Sequence, residues 1–251
     1  MIELRAATVE ATTPDGRMTI LHPTTLTLTE RRVSVIGANG SGKSTLARIL
    51  NGLVEPSSGS VRIRREREPA PSGHDNTDGD TSSRLAEAWL DTVSDGAAVR
   101  RLVGFTFSDP GAQLVMPTAI EDVALSLRRR HRRRAERDAA ARATLERFGI
   151  AELAERSVHT LSGGQRQLLA IASVLAADPA ILIADEPTTL LDLRNGRMIG
   201  DLLMRLPQQV VVVTHDLDLA VRADRTLVID EGAVVFDGDP ATAVDRYRSM
   251  A

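Results

Sequence analysis

Nine consecutive residues carry the clearest chemistry in the chain: Gly37, Ala38, Asn39, Gly40, Ser41, Gly42, Lys43, Ser44 and Thr45. They fit the pattern G-x-x-x-x-G-K-[ST], in which glycines let successive backbone N–H groups turn inward around phosphates. The helix that this loop opens would add its dipole to the anion site. Lys43 would supply a point charge to the β- and γ-phosphates, and the Ser44 hydroxyl would be a ligand for Mg²⁺. Lys43 is the only lysine in a chain that otherwise uses arginine. A compact ammonium is kept where a planar guanidinium fork would fit less well. Far downstream, Ala180-Ile-Leu-Ile-Ala-Asp185-Glu186 is an apolar run that ends in two acids. Asp185 could orient Mg²⁺ beside the glycine-rich loop, and Glu186 could polarise an attacking water. A third segment, Leu161-Ser162-Gly163-Gly164-Gln165, offers a hydroxyl and bare N–H groups at a helix start, which is another anion cradle or simply a capped helix entry.

Positioning these groups needs strands that end at the loops and helices that begin there. Residues 2–9, 18–28, 32–36, 60–64 and 103–107 read as strands, and Ser44–Leu53 has helical spacing. A short helix is expected around Trp89, within Leu85–Arg101. Thr118–Gly149 reads as helical and contains the basic run Arg128–Arg134; Gly164–Ala177 is a second amphipathic stretch. From Ala180 onward strands and helices alternate to the end of the chain, which implies crossover connections and a largely parallel sheet. Arg65–Ser83 is rich in Pro, Gly, Ser, Asp and charge and reads as a surface loop or insertion. Deleting part of Ala70–Ser83 is expected to leave assembly and activity intact.

The chain has 251 residues, 42% of them hydrophobic, and a net charge of -3. That is enough to bury a core, and the balance gives no reason to expect a nucleic-acid partner. With no cysteine, disulfides, thiolate metal sites and a cysteine nucleophile are excluded. No apolar run approaches the roughly 20 residues needed to span a bilayer. Met1-Ile-Glu-Leu-Arg does not read as a signal peptide, so a cytoplasmic protein with at most a peripheral membrane role is expected.

The order of Gly37–Thr45, Leu161–Gln165 and Ile181–Glu186 resembles the Walker A, signature and Walker B motifs of the ATP-binding cassette family. Thr189-Leu190-Leu191-Asp192 is similar to its D-loop, with Asp192 at the matching position, and Val213-Thr214-His215-Asp216 to its switch histidine. The resemblance covers nearly the whole chain. It implies an α/β fold: a P-loop NTPase, RecA-like core with a mainly parallel sheet, an antiparallel β subdomain and an inserted helical lobe. Residues 1–240 would form the nucleotide-binding domain, with a polar insertion at 65–100 and the lobe and signature region at 108–178. Residues 241–251 would form a C-terminal helix. The resemblance further implies a head-to-tail pair, each ATP lying between the P-loop of one subunit and Ser162, Gly163, Gly164 and Gln165 of the other. A homodimer is the simpler expectation, because each surface motif occurs once; a heterodimer with a second cassette subunit is the alternative. Glu186, His215 and Lys43 would act on the γ-phosphate, with Mg²⁺ held at Ser44 and Asp185.

Two departures stand out. The family stacks adenine on an aromatic residue upstream of Walker A; here that position is Thr13, and no Phe, Tyr or Trp precedes Trp89. A lost stack is worth about 1–3 kcal/mol, by analogy with nucleic-acid stacking. In Gly104–Gln113, the place of the family's Mg²⁺-sensing glutamine is taken by Ser108, and Gln113 matches a later glutamine.

Asp109–Val123 is similar to the ATPase subunits of energy-coupling factor importers, which take up vitamins or cobalt and nickel ions. Asp185–Asn195 and Gln208–Leu219 resemble the biotin branch in particular. This implies an integral membrane coupling subunit, a small substrate-binding membrane protein, and docking through Ser108–Glu121 at the cytoplasmic membrane face. A soluble assembly ATPase and a non-hydrolysing regulatory module are the alternatives; intact Lys43, Asp185, Glu186 and His215 oppose the second. Arg128–Arg134 reads either as a solvated helix face or as an attraction to anionic headgroups.

Overall fold

The computed structural model describes residues 1–14, 16–64 and 89–250. The polar stretch 65–83, and with it the deletion window, lies outside the described residues.

Two long strands open the chain, β1 (Ile2–Thr13) and β2 (Gly16–Leu28). Strand β3 (Arg32–Ile36) runs into the glycine-rich loop and α1 (Lys43–Asn51). Next come β4 (Ser58–Arg64), β5 (Trp89–Asp91), α2 (Gly96–Leu102) and β6 (Val103–Thr106). Three helices follow, α3 (Ala119–Ser126), α4 (Arg134–Arg147) and α5 (Gly163–Ala176). The remainder alternates: β7 (Ile181–Asp185), α6 (Leu193–Arg205), β8 (Gln209–Val213), α7 (Leu217–Ala220), β9 (Arg225–Asp230), β10 (Ala233–Gly238) and α8 (Pro240–Met250).

The strands form two sheets. One is antiparallel, in the order β2-β1-β4-β5; the other is six-stranded, in the order β10-β9-β3-β8-β7-β6. Within the second, β9, β3, β8, β7 and β6 are parallel and β10 runs against β9. The central strands are apolar at almost every position because both faces of the sheet are covered. Leu182, Ala184, Val210 and Val212 face the cluster built by α3, α4, α5 and α6. Ile181, Ile183, Val211 and Val213 face α1 and the antiparallel sheet. The strand period of two thus divides one apolar run between two cores. This matches the mainly parallel α/β core, antiparallel subdomain and helical lobe expected from the sequence.

Two local expectations are corrected. Trp89 lies on β5, paired with Arg64 of β4, and the helix starts only at Gly96. The break between them is a turn in which the Asp91 carboxylate accepts the N–H groups of Val93 and Ser94. The arginine run is not a helix face: α3 ends at Ser126 and α4 begins at Arg134. Consecutive arginines would meet like charges three and four residues away, which opposes helix propagation.

Arg32 ties the fold together at the end of α6. Its guanidinium donates to the carbonyls of Met204, Arg31, Gln208 and Leu206. These include groups that a helix C-terminus leaves unpaired. Replacing Arg32 by alanine should cost about 2–4 kcal/mol, because several buried carbonyls lose their donor at once. A urea midpoint within error of the parent would contradict this.

Candidate functional site

The glycine-rich loop follows β3, whose five residues are all buried. Its sharp path depends on glycine. A Cβ at Gly37 would lie 2.1 Å from the Ile229 carbonyl oxygen. Gly42, the residue before α1, has φ 103°, in the left-handed region open to glycine. Lys43 is buried, and its ammonium donates to the carbonyls of Gly37 and Ala38, both at 2.8 Å. Burial lowers its pKa, against the pull of the nearby Glu186 and Asp185 carboxylates.

Strand β7 lies two strands away from β3 and brings its two terminal acids to the same loop. The Ser44 hydroxyl donates to Asp185 Oδ1 at 2.9 Å. Asp185 is 2% exposed, and burial raises its pKa despite that hydrogen bond. A buried carboxylate paired with a hydroxyl fits a divalent cation, whose charge would offset the burial penalty. Among the described residues no cluster of three or more His, Asp or Glu could hold a metal ion. The Ser44–Asp185 pair offers two oxygen ligands, which fits a hard ion that takes its other ligands from phosphate and water, as Mg²⁺ does.

Glu186 has φ 51°, an uncommon conformation for a residue with a side chain. Its N–H donates to the Val213 carbonyl at the end of β8. One carboxylate oxygen, Oε2, receives the Thr189 hydroxyl at 2.8 Å and lies 2.8 Å from His215 Nδ1. His215 is placed by β8: Thr214 before it is fully buried, and its N–H donates to the Val35 carbonyl. Lys43, Ser44, Asp185, Glu186 and His215 are therefore gathered at the same ends of adjacent parallel strands. The fold thus places the glycine-rich loop, the Ser44–Asp185 pair and the Glu186 carboxylate together.

The signature segment is elsewhere. Ser162 caps α5, accepting the Gln165 N–H, while the Gln165 side chain accepts the Ser162 N–H. Gly164 packs on α6: a Cβ there would lie 2.6 Å from the Asn195 side chain. Asp192 caps α6 by accepting the Asn195 N–H at 2.8 Å, and it also holds the Asn195 side-chain amide. Signature and D-loop residues thus form one unit through Asn195, with no role for the P-loop in holding it. Thr189 and Asn195 lie within the motifs, but nothing in their residue type or spacing marks a role. Only folding of the turn after β7 shows what each touches.

At the two departures, Gln113 accepts the Phe107 N–H through its side-chain oxygen, at 3.1 Å, while Ser108 is exposed. Gln113 is thus committed to closing its own loop. The Thr13 hydroxyl donates to the Gly16 carbonyl, at 2.9 Å, and so closes the β1–β2 hairpin rather than offering itself to a base. With no such reader, the dissociation constants of ATP and GTP should lie within about tenfold of each other, ~1.4 kcal/mol. A strong preference for ATP in calorimetric titration would contradict this.

The ABC transporter family profile matches residues 21–189. The biotin transport ATP-binding protein BioM of Rhizobium etli is 40% identical over 236 residues, covering 94% of each chain. The energy-coupling factor transporter ATP-binding protein EcfA1 of Mycoplasma pneumoniae is 35% identical over 211 residues, 83% of this chain and 69% of that one. Among solved structures, the dimeric post-hydrolysis state of the ATP-binding cassette MJ0796, bound to ADP and Pi, superposes with a TM-score of 0.76. That match has 30% identity and covers 96% of this chain and 99% of the other. No helix among the described residues is long and apolar enough to cross a membrane. The chain belongs to the ABC transporter family, as an ATP-binding subunit that hydrolyses ATP.

Proposed function

We propose that this chain powers an energy-coupling factor type importer for a micronutrient, with biotin as the first candidate cargo. The similarity to the R. etli biotin protein over 94% of the chain is the observation that carries this reading. In the proposed cycle, Gly37–Thr45 receive the phosphates, with Lys43 leaving the Gly37 and Ala38 carbonyls for the β- and γ-phosphate oxygens. Ser44 and Asp185 would hold Mg²⁺, which neutralises phosphate charge when bound. Glu186 accepts the proton of the attacking water, and His215 and Thr189 fix the carboxylate that does so. The signature residues Ser162–Gln165, packed on α6 and joined to Asp192, face a second copy and complete that copy's site. A homodimer follows, since one chain supplies each half once.

A membrane coupling subunit would dock beside the helical lobe, and a small substrate-binding membrane protein would choose the cargo. Ser108–Glu121 was the expected docking segment. Between β6, α3 and α5 lies a cleft of about 610 Å³ lined by Val103, Phe105 and Val174 together with Arg100, Arg101 and Arg128–Arg130, which suits a partner segment that carries both apolar and acidic side chains. The protein would then sit at the cytoplasmic membrane face. The test is a tagged pull-down from detergent-solubilised membranes with partners identified by mass spectrometry. Recovery of one multi-span protein with one small membrane protein is expected; recovery of soluble partners alone would overturn the importer reading.

A further inference from the structure

Two helix starts meet away from the glycine-rich loop. Helix α5 begins after Ser162 and α6 after Asp192, and each of these residues caps its helix by accepting the backbone N–H three residues on. In α6 the cap is closed twice. Asp192 Oδ1 accepts the Asn195 N–H at 2.8 Å, and Asp192 Oδ2 accepts the Asn195 side-chain amide at 3.0 Å. The second bond holds the Asn195 side chain against Gly164, in the first turn of α5. A Cβ on Gly164 would lie 2.6 Å from Asn195 Cγ, 2.7 Å from its Oδ1 and 3.0 Å from its Nδ2. Beside it, a Cβ on Gly163 would lie 3.6 Å from the Leu190 carbonyl oxygen and 3.8 Å from Leu191 Cδ2. The start of α5 thus rests on a wall made by the turn before α6 and by Asn195.

Asn195 has no comparable hold on the catalytic residues of its own chain. Among the described residues, its side chain makes hydrogen bonds to Asp192 alone. The turn that follows Glu186 closes without it: the Thr189 N–H donates to the Glu186 carbonyl at 3.4 Å, and the Leu191 N–H to the Thr188 carbonyl at 3.1 Å. A displaced Asn195 therefore disturbs the start of α5 before it disturbs Glu186. In a head-to-tail pair that helix start belongs to the ATP held by the other copy.

We propose that Asn195 is a positioning residue that acts in trans: it sets the start of α5 so that Ser162 and the first N–H groups of that helix meet the nucleotide bound to the second copy. It touches no nucleotide itself. Its effect comes from closeness, because Gly164 leaves no slack between the two helix starts and a small shift of one moves the other. The inference rests on the reading that each ATP lies between two copies of the chain.

The test uses Asn195→Asp in the full chain. The substitution keeps the size of the side chain and sets a second carboxylate beside Asp192, which parts the pair. The ATPase rate should fall about tenfold, within the range that a small misplacement causes. The MgATP affinity of each chain should stay within about threefold, because its own glycine-rich loop is untouched. Mixing then shows which site has been damaged. An equal mixture with Lys43→Ala, whose signature half is intact, should reach about a quarter of the parent rate, about five times the mean of its two components. An equal mixture with Ser162→Arg, damaged in the same half, should run at the mean of its components. Asn195→Ala, which leaves Gly164 without its neighbour, should give the same pattern. Recovery with Ser162→Arg and not with Lys43→Ala would overturn the proposal, since Asn195 would then act on the site of its own chain. So would a parent-like rate in Asn195→Asp, or a loss that neither mixture relieves. If Lys43→Ala and Ser162→Arg fail to complement each other, the two-copy reading itself falls, and the role of Asn195 with it.

Discussion

Glu186→Gln is expected to lower the steady-state ATPase rate by about 10²–10⁴-fold, the range lost when a positioned general base is removed. ATP affinity should stay within about threefold of the parent, because the substitution keeps shape and removes only the proton acceptor. The expectation follows from how the carboxylate is held. The backbone at Glu186 adopts φ 51° and is fixed by the Val213 carbonyl. Oε2 is engaged by Thr189 and His215, so the side chain cannot drift. The uncommon backbone conformation and the two side-chain contacts together hold the carboxylate in one place. ATP-bound dimers should accumulate in the variant, since closure is intact and turnover is not. A rate for Glu186→Gln close to the parent's would show that this carboxylate takes no proton.

Lys43→Ala should weaken MgATP binding by about 100-fold or more, a loss typical of a buried charge contact to phosphate. Lys43→Arg should not rescue it, because a planar fork cannot replace a compact ammonium within the loop. A pH dependence follows. Burial lowers the Lys43 pKa from the ordinary 10.5 in the free protein. Bound phosphates favour the charged form and raise it again. Above the free-protein pKa, binding must therefore take up a proton, and affinity falls as pH rises. The fall should begin at lower pH than for an ordinary lysine. ATP affinity that stays flat through the alkaline range in the parent would contradict this.

Much of the site was legible because local signals and chemistry coincide. Gly37–Thr45 lie between an apolar run and a helical pattern, and Asp185–Glu186 end a second apolar run. A motif that must join a strand to a helix announces both. The fold's interior followed from the same runs, since β3, β7 and β8 are too short and too uniformly apolar to be anything but buried parallel strands. What the sequence did not show depends on partners distant in the chain. Trp89–Asp91 is a strand only because β4 offers its edge, and three residues give no period to read. Thr189 matters through a turn that returns its hydroxyl to Glu186. Asn195 looked like a neutral helix residue until the close approach of Gly164 gave it a role.

The central claim is that one ATP site is built from two copies of this chain, and a mixing experiment tests it most directly. Lys43→Ala removes the phosphate half of the site, and Ser162→Arg blocks the signature half. Each variant alone should be inactive, because both sites of its dimer are damaged. In a mixed dimer of the two, one site carries both changes and the other carries neither. An equal mixture should therefore recover ATPase activity, to about a quarter of the parent rate if subunits exchange freely and sites act independently. If the mixture stays as inactive as its components while both variants still dimerise, the shared site is contradicted.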